Sequence, residues 1–335
     1  MRTELITIAT DTTPLDGAFH MPEDRPVRGG VLLFHGNTMN FYVGAPRWLP
    51  PVLTELGFAC LAFNRRGHDI LSIRDSRAPE GGALQLTREG IADNDYAARW
   101  MADRGFPAPV VIAHSGGGML GVAHVAEHPE TPALVLLSAF RGGGAGAQTI
   151  PAQMALAGEG YEATMANAQA LVAAGRGKEL ITVPNWWYVI SAESYVDRFT
   201  TVPDILALAP TITCPVLFVR GSLEPKEVYP AEGYAERAGG PCEVAIVAGD
   251  HFYNGIEDDV CGVVAAWLNE TLPAPRKFAS TRTATLARRP RSALLRRRSR
   301  LGGSLNEATR SAVGAPLMDH GHTDEGIPLA YYQNP

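Results

Sequence analysis

Three polar residues occupy places in this sequence where a hydroxyl, a carboxylate and an imidazole can work as one unit: Ser115, Glu224 and His251. Ser115 lies in Val110-Val-Ile-Ala-His-Ser115-Gly-Gly-Gly-Met-Leu, an apolar run entering a sharp turn with a small-residue helix after it. This is the strand–turn–helix setting of a nucleophile elbow, usually written G-x-S-x-G. Here it reads Ala113-His114-Ser115-Gly116-Gly117, with alanine at the first small position. A serine hydroxyl is a weak nucleophile until a base takes its proton, and a neutral imidazole needs a carboxylate to fix its tautomer. Glu224 ends the apolar run and turn Pro215-Val-Leu-Phe-Val-Arg-Gly-Ser-Leu-Glu224, and His251 follows Cys242-Glu-Val-Ala-Ile-Val-Ala-Gly-Asp. The order serine, acid, histidine is one of the known orders of such a triad.

The elements that must position these groups are short apolar runs alternating with helical periodicity. Leu5–Ile8 and Leu15–Phe19 read as a hairpin with Asp11 to Pro14 as its turn. Val31–Phe34, Ala59–Phe63, Val110–Ala113, Leu134–Leu137, Val216–Val219 and Val244–Val247 are nearly continuous in apolar residues. That is the pattern of parallel strands buried on both faces. Helices are expected over Arg47–Leu56, Glu89–Asp103, Gly118–Glu127, Pro230–Ala238 and Glu257–Asn269. Strand–helix alternation specifies a doubly wound α/β sheet, and all three polar residues then fall beyond strand C-termini, where sites of open sheets gather.

The same glycines fit a dinucleotide fingerprint, Gly116-x-Gly118-x-x-Gly121. The next strand ends in Ser138-Ala-Phe-Arg141, with no acid to hold a ribose, and the motif sits mid-sheet rather than in the first βαβ unit. A nucleotide cofactor is therefore disfavoured.

Further motifs carry a resemblance. Leu33-Phe-His35-Gly36-Asn37 follows the first parallel strand, and Asn64-Arg-Arg-Gly67-His68-Asp69 follows the next. Together with the elbow and the ordered acid and histidine, these make the chain resemble the α/β-hydrolase superfamily over about Gly29 to Leu272. The resemblance implies a mostly parallel sheet flanked by helices, with an inserted helical cap. It also implies that the backbone N–H groups of Asn37 and Gly116 bind the developing oxyanion. Asp69 stands where that family usually has a second glycine, Ala113 where it has the first elbow glycine, and Glu224 where aspartate is commoner.

The expected organisation is a hydrolase core of residues 1–140 and 206–272, a helical cap over 141–205 and a basic tail over 273–335. Between the strand ending near Ala139 and that starting at Val216 lie about 75 residues, too many for a simple crossover. Gln148–Gly158 and Glu162–Ala174 read as helical, and the aromatic run Trp186, Trp187 and Tyr188 is a candidate substrate wall or cap core. The alternative is a set of extra helices on the sheet edge. From Thr271 onward there are 11 Lys and Arg against 4 Asp and Glu, although the whole chain has a net charge of −6. The acidic body excludes a general pull toward nucleic acid. The Arg-rich tail reads as unstructured and solvated, with contact to an anionic partner as the second reading.

Apolar residues at 46% and charged residues at 19% are ordinary for a globular protein with a sizeable core. Cys60, Cys214, Cys242 and Cys261 form no metal or redox pattern, and no stretch has the length of a membrane span. A reduced, cytoplasmic setting is expected. His114 is assigned to packing on the far side of the elbow, Asp250 and Glu227 are minor rivals to Glu224, and His68, His124, His128 and Arg65 take structural or surface roles. The function expected is cleavage of a carboxylic ester of a small or medium apolar substrate through an acyl-enzyme, with no metal or organic cofactor. Amide, thioester or C–C bond hydrolysis on the same triad, or ligand binding without catalysis, are the alternatives.

Overall fold

The computed structural model describes residues 1–73, 78–143, 160–184 and 189–273. The strands are β1 (Arg2–Ile8), β2 (Leu15–Met21), β3 (Gly29–Phe34), β4 (Phe58–Phe63), β5 (Ser72–Ile73), β6 (Pro79–Glu80), β7 (Val110–His114), β8 (Leu134–Leu137), β9 (Leu180–Thr182), β10 (Val189–Ser191), β11 (Val216–Gly221) and β12 (Cys242–Val247). The helices are α1 (Ala45–Glu55), α2 (Thr87–Ala102), α3 (Gly116–Glu127), α4 (Tyr161–Ala173), α5 (Ala192–Thr200), α6 (Ile205–Leu208), α7 (Ala231–Ala235) and α8 (Glu257–Thr271).

Eight strands form one sheet in the order β1-β2-β4-β3-β7-β8-β11-β12. The hairpin β1–β2 closes with Ile8 opposite Leu15, and β2 runs antiparallel to β4. All the later pairings are parallel. Successive side chains of a strand point to opposite faces, so each apolar run feeds two cores. Leu32, Phe34, Leu61, Phe63, Val111, Ala113, Leu136 and Phe218 pack on the α2, α3 and α7 side. Val31, Leu33, Cys60, Ala62, Val110, Ile112, Leu217 and Val219 pack on the α1 and α8 side. Strand β12 is the exception among the expected runs. It is the sheet edge, and none of its residues is fully buried.

Helix α1 begins at Ala45, two residues before the expected start. Pro46 occupies the first turn, where its fixed φ suits a helix and its missing N–H costs nothing. Helix α7 is shorter than its sequence periodicity predicts, ending at Ala235.

Between β8 and β11 the described chain forms α4, β9, β10, α5 and α6. Its own cluster unites Ala168, Ile181, Ile190, Tyr195 and Phe199, with Ile70 packed against it. It docks on the excursion after β4. Ser191 N donates to Ala83 O at 2.7 Å, Arg198 donates to Gly82 O at 2.7 Å, and Asp197 Oδ2 accepts from Thr87 N and Oγ1 at 2.7 and 2.6 Å. The helix expected over Gln148–Gly158, the aromatic run Trp186, Trp187 and Tyr188, and the tail beyond Pro273 lie outside the described residues.

Candidate active site

Strand β7 delivers Ser115 at a backbone conformation that side chains rarely adopt, φ 55° and ψ −126°. Backbone of this kind costs of order 1–3 kcal/mol and persists only where the surroundings over-determine it. The surroundings here are hydrogen bonds and glycines. Ser115 N donates to Leu137 O at 2.9 Å, and Ser115 O accepts from Gly118 N and Phe140 N at 2.9 and 3.1 Å. Helix α3 then presses against the neighbouring loops so closely that only glycine fits. A Cβ on Gly117 would lie 2.3 Å from His35 O, one on Gly118 would lie 2.4 Å from the Ala139 methyl, and one on Gly121 would lie 2.8 Å from the Ala113 methyl. The last contact explains the departure at Ala113: the room for its methyl group is made by Gly121, a turn and a half along the helix.

Glu224 is carried by the turn after β11, closed by Glu224 N donating to Gly221 O at 3.1 Å. Gly221 is required there, since a Cβ would meet Gly249 O at 2.5 Å. The carboxylate is buried, and each oxygen is committed. Oε1 accepts from His251 Nδ1 at 2.7 Å. Oε2 accepts from Gly221 N at 2.7 Å and from the Ser138 hydroxyl at 2.5 Å.

His251 completes the line. With Nδ1–H given to Glu224, the Nε2 lone pair faces Ser115, whose hydroxyl lies 2.8 Å away. The structure therefore brings together the three residues singled out in the sequence. Neither rival acid is in position. Asp250 caps its own turn, accepting from Phe252 N, Asn254 N and Asn254 Nδ2 at 3.0, 3.1 and 2.9 Å, and Glu227 is exposed. Burial raises the Asp250 carboxyl, but the Asn254 and loop hydrogen bonds outweigh it and hold the group below its ordinary value.

Asn37 and Gly116 are neighbours across the elbow, since a Cβ on Gly116 would sit 3.5 Å from Asn37 N. The Asn37 loop is braced from behind. His35 Nε2 accepts from Arg65 N at 3.1 Å, its Nδ1 lies 2.8 Å from Gly36 O, and the Arg65 guanidinium donates to His35 O. Burial, reinforced by the Arg65 charge, pushes His35 well below the usual imidazole range, so it is a neutral strut. Asp69, at φ 52°, takes the left-handed conformation that a glycine would serve, and its carboxylate accepts from Asn40 Nδ2 at 2.9 Å. His68 bonds Asp69 at 2.7 Å, and His124 and His128 meet Asp95 away from this site.

Three neighbours were missed or under-read in the sequence. Ser138, directly after β8, is fully buried with φ 44°, and its hydroxyl is 2.7 Å from that of Tyr253. The Ser138 hydrogen points at Glu224, so the Tyr253 hydroxyl supplies its own hydrogen to Ser138 Oγ or to Val219 O, 3.2 Å away. Tyr253, itself at φ 60°, is buried, and burial pushes its phenol up so that it stays a donor. No spacing pattern marks either residue; position immediately after a buried strand, or beside the histidine, is the sole clue.

His114 was expected only to pack. Its ring does lie against that of His251, 4.9 Å between centroids, but its Nε2–H also donates to the His251 carbonyl at 2.9 Å. Burial, with the His251 charge second, pushes it down to about 3, so it remains neutral. Tyr229 covers the opposite flank of the His251 ring at 4.9 Å.

Chemically, the arrangement holds a hydroxyl, an imidazole and a buried carboxylate in line, beside the Gly116 backbone at the N-terminus of α3 and the Asn37 backbone in the loop after β3. The model of the α/β-hydrolase fold family matches residues 30–172. Among solved structures, the chain is similar to Est1E from Butyrivibrio proteoclasticus with ferulic acid bound, at 18% identity and a TM-score of 0.62, covering 79% of this chain and 98% of that one. It is also similar to the α/β hydrolase GrgF from Penicillium sp. sh18, at 16% identity and a TM-score of 0.59, covering 81% and 98%. The esterase domain of a Rhodothermus marinus protein matches at 18% identity with a TM-score of 0.54, covering 81% and 99%. No curated protein sequence matches the chain. With the fold shared over nearly the whole of these structures and the family's model matching through the elbow, the chain has the α/β-hydrolase fold.

Proposed function

We propose that the protein is a serine hydrolase that cleaves a carboxylic ester of a small or medium apolar substrate through an acyl-enzyme. Ser115 attacks the carbonyl while His251 Nε2 takes its proton. The imidazolium so formed is balanced by Glu224, and the amides of Asn37 and Gly116 receive the oxyanion. His251 returns the proton to the leaving alcohol, and water then releases the acid by the same steps in reverse. The observation that carries this reading is the pair of contacts through one ring, Ser115 Oγ to Nε2 at 2.8 Å and Nδ1 to Glu224 at 2.7 Å.

The preference for an apolar substrate rests on the loops around the strand C-termini, which leave Tyr42, Leu71, Leu223 and Phe252 exposed. Leu223 and Phe252 directly adjoin Glu224 and His251. Segment 141–205 is proposed as a cap, with Trp186, Trp187 and Tyr188 as part of the substrate wall. The ferulic acid bound by Est1E is an acid of the kind an aromatic ester would release.

The test is covalent labelling with a fluorophosphonate, together with p-nitrophenyl esters of graded chain length. Label on Ser115, and a loss of roughly 10⁴-fold or more in turnover for Ser115→Ala, are expected. Full activity in that variant would refute the mechanism.

A further inference from the structure

Helix α3 starts at the elbow, and at its other end it carries a second cluster of ligating side chains that the ester chemistry does not use. The helix rises about 1.5 Å per residue, so His124 and His128 lie roughly 14 Å or more from Ser115. His124 is buried at the end of α3, His128 follows the helix, and Asp95 reaches them from α2. Asp95 Oδ1 is 3.1 Å from His124 Nδ1 and 3.2 Å from His128 Nε2. The ligating atoms of all three residues lie within 4.8 Å of one another. The two rings face each other, 4.2 Å between centroids and 32° apart in plane. On the other side of His128, Nδ1 is 3.1 Å from Glu130 Oε1.

Two ring nitrogens thus face one carboxylate oxygen, His124 Nδ1 and His128 Nε2 both turned to Asp95 Oδ1. With a cation among these three atoms, His128 Nδ1 remains turned to the Glu130 carboxylate. A carboxylate behind a ligating histidine, fixing its tautomer, is the usual outer shell of such a site. The distances also fit. Tetrahedral zinc with bonds of about 2.0–2.2 Å to nitrogen and oxygen sets its ligand atoms about 3.3–3.5 Å apart, so the two separations from Asp95 Oδ1 need to open by only a few tenths of an ångström, with the stacked rings turning to aim both nitrogens at the ion. Asp95 and His128 are partly exposed, which leaves solvent to supply the fourth ligand.

We propose that Asp95, His124 and His128 bind a divalent transition-metal cation of the zinc class, with Glu130 as the outer carboxylate, and that the cation clips α2 to α3. It takes no part in the reaction at Ser115, and the inference does not depend on the esterase reading.

The experiment uses the full chain, free of any polyhistidine tag, stripped with a chelator and titrated with ZnCl₂ and CoCl₂. One tight equivalent per chain, a raised unfolding temperature with zinc, and visible absorption bands of a tetrahedral site with cobalt are expected. Asp95→Asn and His128→Ala should each weaken binding by tenfold or more. Glu130→Ala, which removes no ligand, should weaken it about tenfold. Circular dichroism checks that each variant folds, and the cobalt spectrum of the unmodified chain stands even where one does not. Absence of saturable binding would overturn the proposal, leaving the cluster a hydrogen-bonded clip. So would zinc binding that is undiminished in the Asp95→Asn/His128→Ala double variant.

Discussion

The bodies of the strands and the loops that leave their C-terminal ends obey different rules in this molecule. Inside the sheet, side chains alternate between two apolar cores, and the backbone is ordinary extended chain. At the C-terminal ends the pattern inverts. Among the described residues, the non-glycine positions with positive φ are Thr38, Asp69, Ser115, Ser138 and Tyr253, and each follows a different parallel strand. The buried polar groups His35, Asn64, Arg65, His114, Ser138 and Glu224 gather on the same edge. Strained backbone and buried polarity both cost stability, and they persist here because the neighbouring loops hold one another. Ser115 O ties to Phe140 N, Ser138 N to Val219 O, and Leu223 N to Gly249 O. The lesson is a division of labour: regular packing supplies the stability that the edge consumes in preorganising three side chains.

The largest effects should therefore come from substitutions that leave the packing alone and change only the polar edge. Glu224→Gln keeps the shape but removes the charge that balances the imidazolium and lets an amide stabilise the wrong tautomer. Turnover should fall by roughly 10⁴-fold, by analogy with other triad acids. Asp250→Asn should cost at most about tenfold, since Asp250 caps its own loop and never faces His251. Glu224→Asp should retain intermediate activity. Turnover of all three on one activated ester, with folding checked by circular dichroism, measures the contrast. A crippled Asp250→Asn beside a mild Glu224→Gln would reverse the assignment of the acid.

Next in size are the residues behind the carboxylate. Ser138→Ala removes one of two donors to Glu224 Oε2, and Tyr253→Phe removes the hydroxyl that orients Ser138 while keeping the ring in the core. A hydrogen bond to a charged group contributes about 1.5–3 kcal/mol, and each 1.36 kcal/mol of barrier is tenfold in rate. Ser138→Ala should therefore lose about tenfold to a hundredfold in kcat, with Tyr253→Phe milder. Because both residues are fully buried behind Glu224, KM should stay near its original value. A fall in kcat/KM carried by KM would show that these residues shape the pocket instead of holding the acid.

How much of this was legible depends on whether function lives in a residue type at a recognisable place or in a contact. Ser115, Glu224 and His251 were legible because each follows an apolar run and their chemistry demands those types in that order. Ser138 and Tyr253 were not, because their roles arise where β8, β11 and β12 bring their loops together, and a lone serine or tyrosine carries no spacing signal. His114 was legible as buried, but its bond to the His251 carbonyl joins positions 137 residues apart. In segment 141–205 the alanine-rich composition of Glu162–Ala174 predicted α4 nearly to the residue, whereas the three-residue strands β9 and β10 gave too few positions for a period to show. The two extra residues at the start of α1 include Pro46, which reads as a breaker unless its place in the first turn is known.

The smallest expected effect tests the packing that supports the strain at Ser115. Ala113 lies on β7 and Gly121 on α3, and a Cβ on Gly121 would come within 2.8 Å of the Ala113 methyl. Two methyl groups cannot share that space without moving strand from helix. In an exposed helix interior, glycine to alanine would stabilise by about 1 kcal/mol. Here overpacking should win, because inserting a methyl into a filled core costs typically about 1–3 kcal/mol. Gly121→Ala alone should thus lower the unfolding temperature by a few degrees, at about 2–4 °C per kcal/mol for a domain of this size. Ala113→Gly/Gly121→Ala should recover most of that loss, because it moves the same methyl group from strand to helix and restores the usual first glycine of the elbow. Calorimetric unfolding of the two variants and the unmodified chain decides the matter. If the double variant is no more stable than Gly121→Ala, the alanine at the elbow is not accommodated by the glycine opposite it.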